Sequence, residues 1–132
     1  MLLHDLCAPL PLRSACFDLV LMWGTFVHLP RAAQRATLLE IVRVLRPGGR
    51  LMIDYLRPAD FRRALGRPIE TNYRESPWLQ EVTDYFCEAA ELISLCDPLF
   101  KVGEGDLSTR TRRGEQISQG YLWLERPAEA PV

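Results

Sequence analysis

The sequence predicts an α/β fold from three observations. Residues 17–22 and 50–56 are apolar runs of strand length, and residues 31–45 between them carry apolar side chains at helical spacing. A strand, a helix and a second strand in this order form a βαβ unit, whose two strands run parallel. Near-continuous apolar runs are typical of parallel strands that are covered on both faces. Two later strand candidates, residues 99–102 and 116–125, predict an antiparallel hairpin at the carboxyl end.

The composition is typical of a single domain. We assign that domain to residues 1–126 and predict a disordered tail at residues 127–132. The net charge is −1, so no global field attracts nucleic acid or an anionic membrane. No apolar run approaches the ~20 residues of a membrane-spanning helix. We therefore expect neither a nucleic acid nor a membrane as a partner.

The cysteines predict a reducing compartment. Cys7, Cys16, Cys87 and Cys96 form no C-x-x-C pair and no Cys/His cluster at metal-ligand spacing, so no metal site is predicted. The first residues also lack the basic region and the long apolar core of a signal peptide. Together these features favour the cytoplasm as the setting of the protein.

The amino-terminal stretch, residues 1–12, combines a short apolar run with two prolines. Residues 1–3 could form the tail of a strand, whereas Pro9 and Pro11 exclude regular structure behind it. A strand this short at the terminus predicts a chain that begins midway through a larger domain.

Glycine and proline mark the limits of the βαβ unit. Gly24 interrupts the first strand, and Pro30 suits the first turn of the helix. The Pro-Gly-Gly of residues 47–49 ends the helix, because proline cannot continue it and glycine accepts the left-handed conformation of a C-cap. Four apolar side chains form one stripe along the predicted helix: Leu38, Ile41, Val42 and Leu45.

The region behind the second strand is the most polar part of the chain. Asp54 and Tyr55 stand at the carboxyl end of that strand, where open parallel sheets bind their ligands. We predict a short helix at residues 59–65 and a loop at residues 66–77. A loop over this end of a sheet commonly carries substrate contacts.

The stretch from Ser76 to residue 96 could form one helix or two pieces. Ser76 and Pro77 suit the N-cap and the first turn of a helix, and apolar residues follow at helical spacing. A break near residues 83–86 is favoured, because a β-prone Val-Thr-Asp-Tyr-Phe run stands before a clean helical pattern over residues 87–96.

Several motifs in a fixed order carry a resemblance to a known family. They are Phe-Asp at residues 17–18, His-Leu-Pro at 28–30, Arg-Val-Leu-Arg-Pro-Gly-Gly at 43–49 and Arg-Leu-Met-Ile at 50–53. This compound pattern resembles the type 11, ubiquinone-biosynthesis-like group of class I S-adenosylmethionine-dependent methyltransferases. The resemblance covers residues 17–54 and continues more faintly into residues 85–102 and the closing hairpin. It implies a Rossmann-like methyltransferase sheet of which this chain holds the carboxyl-terminal half.

The resemblance implies S-adenosylmethionine as the cofactor and assigns it two contact regions. Asp5-Leu6 resembles the acidic residue that accepts a hydrogen bond from the adenine amino group and the neighbour whose amide reaches a ring nitrogen. Met22-Trp23-Gly24 resembles the loop that lines the methionine moiety and the transferable methyl group.

The sequence departs from the family at its amino-terminal side. The family's glycine-rich turn after the first strand, and the acidic residue that holds the ribose hydroxyls, have no counterpart here. Every glycine lies at Gly24 or later, and none forms G-x-G between a strand and a helix near the start. We therefore expect a truncated sheet without its first two strands. Asp5 would then have no sheet to pair into and could equally be a solvated acid.

His28 is the candidate general base, since imidazole titrates near neutrality. Its place beside Pro30 equally suits a hydrogen bond to the backbone. Methyl transfer depends largely on alignment and proximity, so a dedicated base is not always required. Asp18 is interpreted as a structural residue of the strand start, and Trp23 and Phe26 as either pocket or core residues.

The leading hypothesis is S-adenosylmethionine-dependent methyl transfer to a small-molecule acceptor. The alternative is a non-enzymatic remnant or interaction module that does not bind the cofactor. Such a module would self-associate through an exposed sheet edge or be completed by a partner that supplies the missing strands. A third hypothesis is a nucleic-acid-binding domain that uses Arg110, Arg112 and Arg113. The balanced net charge and the lack of interleaved aromatic and basic residues argue against it.

Overall fold

The structure, a computed structural model, describes residues 3–128. The first elements are β1 (Phe17–Met22), a 3-10 helix (Phe26–His28), α1 (Arg31–Val44) and β2 (Leu45–Leu56). The middle of the chain forms α2 (Arg62–Leu65), β3 (Pro68–Glu70), β4 (Tyr73–Glu75) and β5 (Thr83–Tyr85). The last elements are α3 (Ala89–Leu95), β6 (Phe100–Asp106), β7 (Thr109–Arg110), β8 (Gln116–Ile117) and β9 (Gln119–Glu125).

A mixed four-stranded sheet in the order β1-β2-β9-β6 forms the centre of the fold. β1 runs parallel to β2, with Val20 opposite Leu51 and Leu21 opposite Met52. β9 runs antiparallel to both β2 and β6, which it separates. The βαβ unit and the antiparallel carboxyl-terminal hairpin predicted from the sequence are both confirmed, and so is the α/β class.

The helix of the βαβ unit covers one face of this sheet. α1 begins right after Pro30 and ends at Val44, so that Leu45 already belongs to β2. Gly48 adopts a positive φ of 79° in the turn at the start of the strand. The Pro-Gly-Gly turn therefore lies inside the bounds of β2 rather than directly behind the helix.

A single large apolar cluster forms the core between this sheet face and the helices. The sheet contributes the fully buried Leu51, Ile53, Leu122 and Leu124. α1 adds Leu38 and Ile41, and α3 adds Leu92. Every second residue along β2 and β9 thus lies on the same buried face, because successive side chains of a strand point to opposite faces of the sheet.

Two expectations for the middle of the chain are wrong. No helix starts at Ser76 and Pro77, and the predicted loop at residues 66–77 contains the antiparallel strands β3 and β4. Asn72 makes their tight connection possible, because it adopts a φ of 61° that asparagine tolerates better than most residues. The predicted helix at residues 59–65 is reduced to α2.

The favoured break near residues 83–86 is confirmed. β5 pairs antiparallel with β4 at that place, with Tyr85 opposite Tyr73. α3 then begins at Ala89, within the predicted helical stretch. The polar middle of the chain therefore adds a second, three-stranded sheet, β3-β4-β5.

The amino-terminal segment lies along α1 without forming a strand in residues 3–12. Thr37 donates its hydroxyl hydrogen to the Leu6 carbonyl over 2.9 Å, and Arg43 donates to the carbonyls of Leu10 and Leu12. Residues 1–2 of the predicted strand tail lie outside the described residues. In the predicted disordered tail, residues 129–132 lie outside them too.

Both edges of the central sheet are open within the part of the chain that the structure describes, since β1 pairs with β2 alone and β6 with β9 alone. At the edge of β1, Leu19, Leu21 and Trp23 are 48%, 63% and 51% exposed. At the edge of β6, Phe100 and Val102 are 44% and 41% exposed. In the same described part, no helix has the length and apolar character needed to cross a membrane.

Candidate functional site

A small cavity with apolar walls and a few charged side chains lies where β1 and β2 end. It has a volume of about 230 Å³. Its walls come from the loop behind β1, the ends of β2 and β5, α2, the segment before β5, and the start of β9: Gly24, Val27, His28, Asp54, Leu56, Arg62, Ser76, Trp78, Leu79, Asp84 and Gln119. Carboxyl ends of parallel strands are the usual ligand-binding edge of an α/β sheet.

A larger groove of about 650 Å³ lies beside it, around the loop that joins β4 to β5. Its walls are mostly exposed loop residues such as Trp78, Leu79 and Glu81. The smaller cavity is the better candidate, because buried ionisable side chains converge on it and none does so in the groove.

Asp54 fixes the loop behind β1. This buried carboxylate accepts the backbone N–H of Gly24 at Oδ1 over 2.7 Å and the amide of Gln119 at Oδ2 over 2.8 Å. Gly24 has a φ of 62°, a conformation that costs glycine little. Asp54 therefore joins the ends of β1, β2 and β9 around one wall of the cavity, while both of its oxygens are satisfied.

His28 and Asp84 approach each other on the opposite wall. His28 ends the 3-10 helix, and its Nδ1 lies 3.1 Å from Asp84 Oδ1 and 3.3 Å from the Thr83 carbonyl oxygen. The first of these contacts is close enough for an ion pair but poorly aligned for a hydrogen bond, so Asp84 Oδ1 has no aligned donor among residues 3–128. Burial raises the pKa of the Asp84 carboxyl, and the neighbouring His28 opposes that rise.

Arg62 brings one positive charge to the same cavity. Its guanidinium donates twice to the buried carboxylate of Asp60, over 2.8 Å to each oxygen. Asp60 also accepts the backbone N–H of Ser118. The hydrogen bonds to Asp60 raise the pKa of the Arg62 guanidinium against the effect of its burial. This pair pins α2 to the start of β9 and keeps Arg62 charged.

The cofactor contacts that the resemblance assigned lie on two separate segments. Asp5 is exposed, and its carboxylate accepts the N–H of Cys7 only two residues away. Leu6 packs partly buried against the core. Met22 is buried in that same core at the end of β1, whereas Trp23 is half-exposed behind it.

The wall beside β1 fits only part of S-adenosylmethionine. A cavity of about 280 Å³ is lined there by Leu21, Met22, Trp23 and Met52, which suit a thioether and a methyl group. The nearby carboxylates are engaged, Asp54 by Gly24 and Gln119 and Asp18 by Arg46. Within residues 3–128 this wall therefore offers no free carboxylate to the ribose hydroxyls.

Neither thiol chemistry at the two core cysteines nor a metal site within residues 3–128 is supported. Cys87 and Cys96 are fully buried, and burial raises the pKa of Cys87 strongly and that of Cys96 to about 12, so neither forms a thiolate near neutrality. No group of three His, Cys, Asp or Glu side chains within residues 3–128 is arranged to hold a metal ion.

The structure brings three residues singled out from the sequence, His28, Gly24 and Asp54, to one cavity, together with Arg62 and Asp84 and the Arg62 partner Asp60, which were not singled out. One signal for Asp84 was present, because a carboxylate inside the β-prone run of residues 82–86 is costly to bury without a purpose. Nothing local marks Asp60 and Arg62, whose role depends on β9, far along the chain.

Comparisons with known proteins bear on the fold. A family model described as a methyltransferase domain matches residues 1–53, which include β1, α1 and most of β2. None of the curated proteins matches the chain. An S-adenosylmethionine-dependent methyltransferase from Methanosarcina mazei superposes with a TM-score of 0.75 at 19% identity, over 96% of this chain and 66% of that one.

The chain has the S-adenosylmethionine-dependent methyltransferase fold. A methyltransferase from Mesorhizobium loti superposes with a TM-score of 0.71 at 14% identity, over 93% of this chain and 67% of that one. The N-methyltransferase NodS from Bradyrhizobium japonicum, solved with S-adenosyl-L-homocysteine, gives a TM-score of 0.63 at 17% identity, over 94% of this chain and 52% of that one. This chain thus spans about half to two thirds of the length of these structures.

Proposed function

We propose that this chain is the acceptor-binding part of a cytoplasmic S-adenosylmethionine-dependent methyltransferase that acts on a small molecule. The observation that carries the proposal is the cavity at the ends of β1 and β2, where the His28–Asp84 pair faces a loop fixed by Asp54. The fold and the methyltransferase-domain match over residues 1–53 support it. The motifs of residues 17–54 favour the ubiquinone-biosynthesis-like group.

Each proposed role follows from the chemistry of a side chain. When bound, S-adenosylmethionine supplies an electrophilic methyl group. Met22, Trp23 and Gly24 form the wall that orients it, and Asp54 keeps Gly24 in place. His28 accepts the proton of the acceptor nucleophile at Nε2, because Nδ1 is held beside Asp84. The Asp84 carboxylate then stabilises the imidazolium that forms.

Titration with S-adenosylhomocysteine, followed by NMR, tests the cofactor wall. The chain has three tryptophans, each with one resolvable indole N–H signal. We expect saturable shifts of the Trp23 indole and the Gly24 amide, because both belong to the proposed wall. The backbone amide of Gly114 is the internal control, since it lies in the turn between β7 and β8, outside the central sheet. Trp23→Ala should weaken the binding of S-adenosylhomocysteine by about tenfold, which corresponds to a loss of roughly 1.4 kcal/mol of binding free energy.

An absence of any shift at millimolar S-adenosylhomocysteine would contradict cofactor binding by this chain. Shifts spread equally over the Trp23 indole and the Gly114 amide would contradict the assigned place. Asp5→Asn tests the second assigned contact in the same titration. Because Asp5 is exposed and lies on a separate segment from Trp23, unchanged affinity would make it a solvated acid.

The open edge of β1 favours a second candidate function. Leu19, Leu21 and Trp23 are exposed beside the unpaired side of the strand. A second copy could pair its own β1 antiparallel to this one, which would place apolar residues of both copies opposite one another. In that case the chain is an interaction module that self-associates, and its affinity for itself exceeds any affinity for S-adenosylhomocysteine.

A further inference from the structure

We infer that the acceptor is a small amine, which enters the cavity at the ends of β1 and β2 as an ammonium ion and donates a hydrogen bond to Asp84. This inference rests on the proposed function and names the substrate class of the same site. It follows from the missing hydrogen-bond donor of the Asp84 carboxylate, from the charges around that carboxylate and from the apolar walls of the cavity.

Asp84 is the carboxylate in the cavity wall that still needs a donor. Asp84 is only 4% exposed, yet its Oδ1 has no aligned hydrogen-bond donor among residues 3–128. The other lining carboxylate, Asp54, has both oxygens engaged by Gly24 and Gln119. A buried carboxylate left short of donors is costly, so a ligand in the cavity that donates N–H groups gains most at Asp84.

The charges around the cavity favour a cation. Asp54 and Asp84 line it, and Asp60 lies behind Arg62 as that guanidinium's partner. Three carboxylates therefore stand against two arginines, since Arg74 lies opposite Asp84 on β4, and His28 adds a positive charge only when it is protonated. An anionic acceptor would have to compete with Asp60 for Arg62, whereas an ammonium ion lowers the cost of burying Asp84.

The rest of the cavity sets the size and the character of the amine. Val27, Leu56, Trp78 and Leu79 supply apolar walls beside the carboxylates. A volume of about 230 Å³ lies below the roughly 300–1,000 Å³ of drug-sized ligand pockets. The fitting acceptor is therefore a primary or secondary amine on a compact apolar body.

An ammonium ion has no lone pair and must lose a proton before it can act as a nucleophile. His28 lies beside Asp84, so its imidazole can take one proton from the bound ammonium ion. The products of that step are a neutral amine with a free lone pair and an imidazolium next to the Asp84 carboxylate. The step needs no oxidant, reductant or further reactant.

Binding of three related probes to the full chain, without any methyl donor, tests the inference. The probes are 2-phenylethylamine, 2-phenylethanol and 3-phenylpropionate, which place a cation, a neutral hydroxyl and an anion on similar bodies. Isothermal calorimetry gives the affinities, and the Trp78 indole signal reports the place. We expect the amine to bind at least about tenfold more tightly than the other two, as charge-assisted hydrogen bonds do.

Asp84→Asn should remove this preference, leaving the amine and the alcohol within about twofold of each other. Asp18→Asn is the matched control, since it removes an exposed carboxylate at the start of β1 and should leave the preference intact. The inference would be overturned if the unaltered chain bound the amine and the alcohol equally well, or if it preferred the anion. Both of these results are measured on the unaltered chain, so they do not depend on whether a variant folds.

These outcomes are separable from those of the proposed function. Shifts with S-adenosylhomocysteine but no preference for the amine would leave a methyltransferase with a different acceptor. An amine preference without any effect of S-adenosylhomocysteine would support the amine site and contradict the cofactor wall.

Discussion

The two faces of the central sheet differ sharply, although they are built from the same strands. On the covered face, Leu122 and Leu124 of β9 and Ile53 of β2 are fully buried against α1 and α3. On the other face, Leu21 of β1 is 63% exposed, and the half-buried Trp123 stands between the two buried leucines of β9. Within residues 3–128, only the carboxyl end of this second face is covered, where Leu56 of β2 is buried with Val27 of the 3-10 helix and with Phe86.

The composition of the open face shows what the strands are suited to. Leu19 and Leu21 are apolar where a solvent-facing strand usually carries polar residues, and Met52 lies beside Leu21 on β2. Strands that are apolar on both faces are typical of sheets covered on both sides. The apolar pattern of these strands therefore predicts that both faces of the sheet are covered. Only the structure shows which face is covered within residues 3–128.

The largest expected effect is on the covered face. Leu122→Ala should lower the free energy of unfolding by about 2–5 kcal/mol, because it leaves a cavity in a packed core. The matched change on the open face, Leu21→Ala, should alter it by no more than about 0.5 kcal/mol. Urea unfolding followed by tryptophan fluorescence measures both values. Equal losses would mean that the open face is covered in solution.

Two glycines in β6 sharpen the comparison within the open face. The aromatic rings of β9 lie across them, and a Cβ on Gly105 would come within 2.1 Å of Tyr121 Cζ. A Cβ on Gly103 would meet Trp123 at an ordinary 3.6 Å. Because the atoms that crowd Gly105 are the ring tip of the half-buried Tyr121, the ring must leave its rotamer, and Gly105→Ala should destabilise the protein by about 0.5–1.5 kcal/mol.

Gly103→Ala is the matched control and should be neutral or slightly stabilising, because its φ suits alanine and the unfolded chain loses freedom. Thermal unfolding by circular dichroism compares the two variants. Adding Tyr121→Ser to Gly105→Ala should recover most of the loss. If both alanines cost the same, the rings of β9 do not lie over β6, and the open face is less ordered than the structure shows.

Sequence reasoning succeeded where local pattern and long-range pairing agree. The apolar runs of β1 and β2 and the stripe along α1 were sufficient for the βαβ unit, because each element is long and strongly periodic. The break before α3 was also visible, since β-prone residues stand together there. All of these elements contribute to the covered face.

The rest could not be found because its stability comes from distant partners. β3 and β4 contain three residues each, too short for a clear period, and they form only because β5 pairs with β4. Asp84 enters the candidate site through that pairing. The motif at Ser76 does form a turn, with its hydroxyl oxygen accepting the N–H of Leu79, but no helix follows.

The smallest effect on stability, and the clearest on association, is expected at the open edge itself. Leu21→Lys places a charge beside the unpaired side of β1, the device by which natural sheets prevent pairing between edges. We expect a change of no more than about 0.5 kcal/mol in the free energy of unfolding. If the second candidate function holds, the dimer that sedimentation velocity detects in the unaltered chain should disappear in this variant.

Leu39→Lys is the control for that measurement, since Leu39 is an exposed leucine on α1, away from the edge of β1. Loss of the dimer in both variants would point to a general effect of charge on solubility. Loss in Leu21→Lys alone would assign the contact to β1. A chain that sediments as a monomer at high micromolar concentration would exclude self-association, and the exposed leucines of β1 would then need a different covering layer.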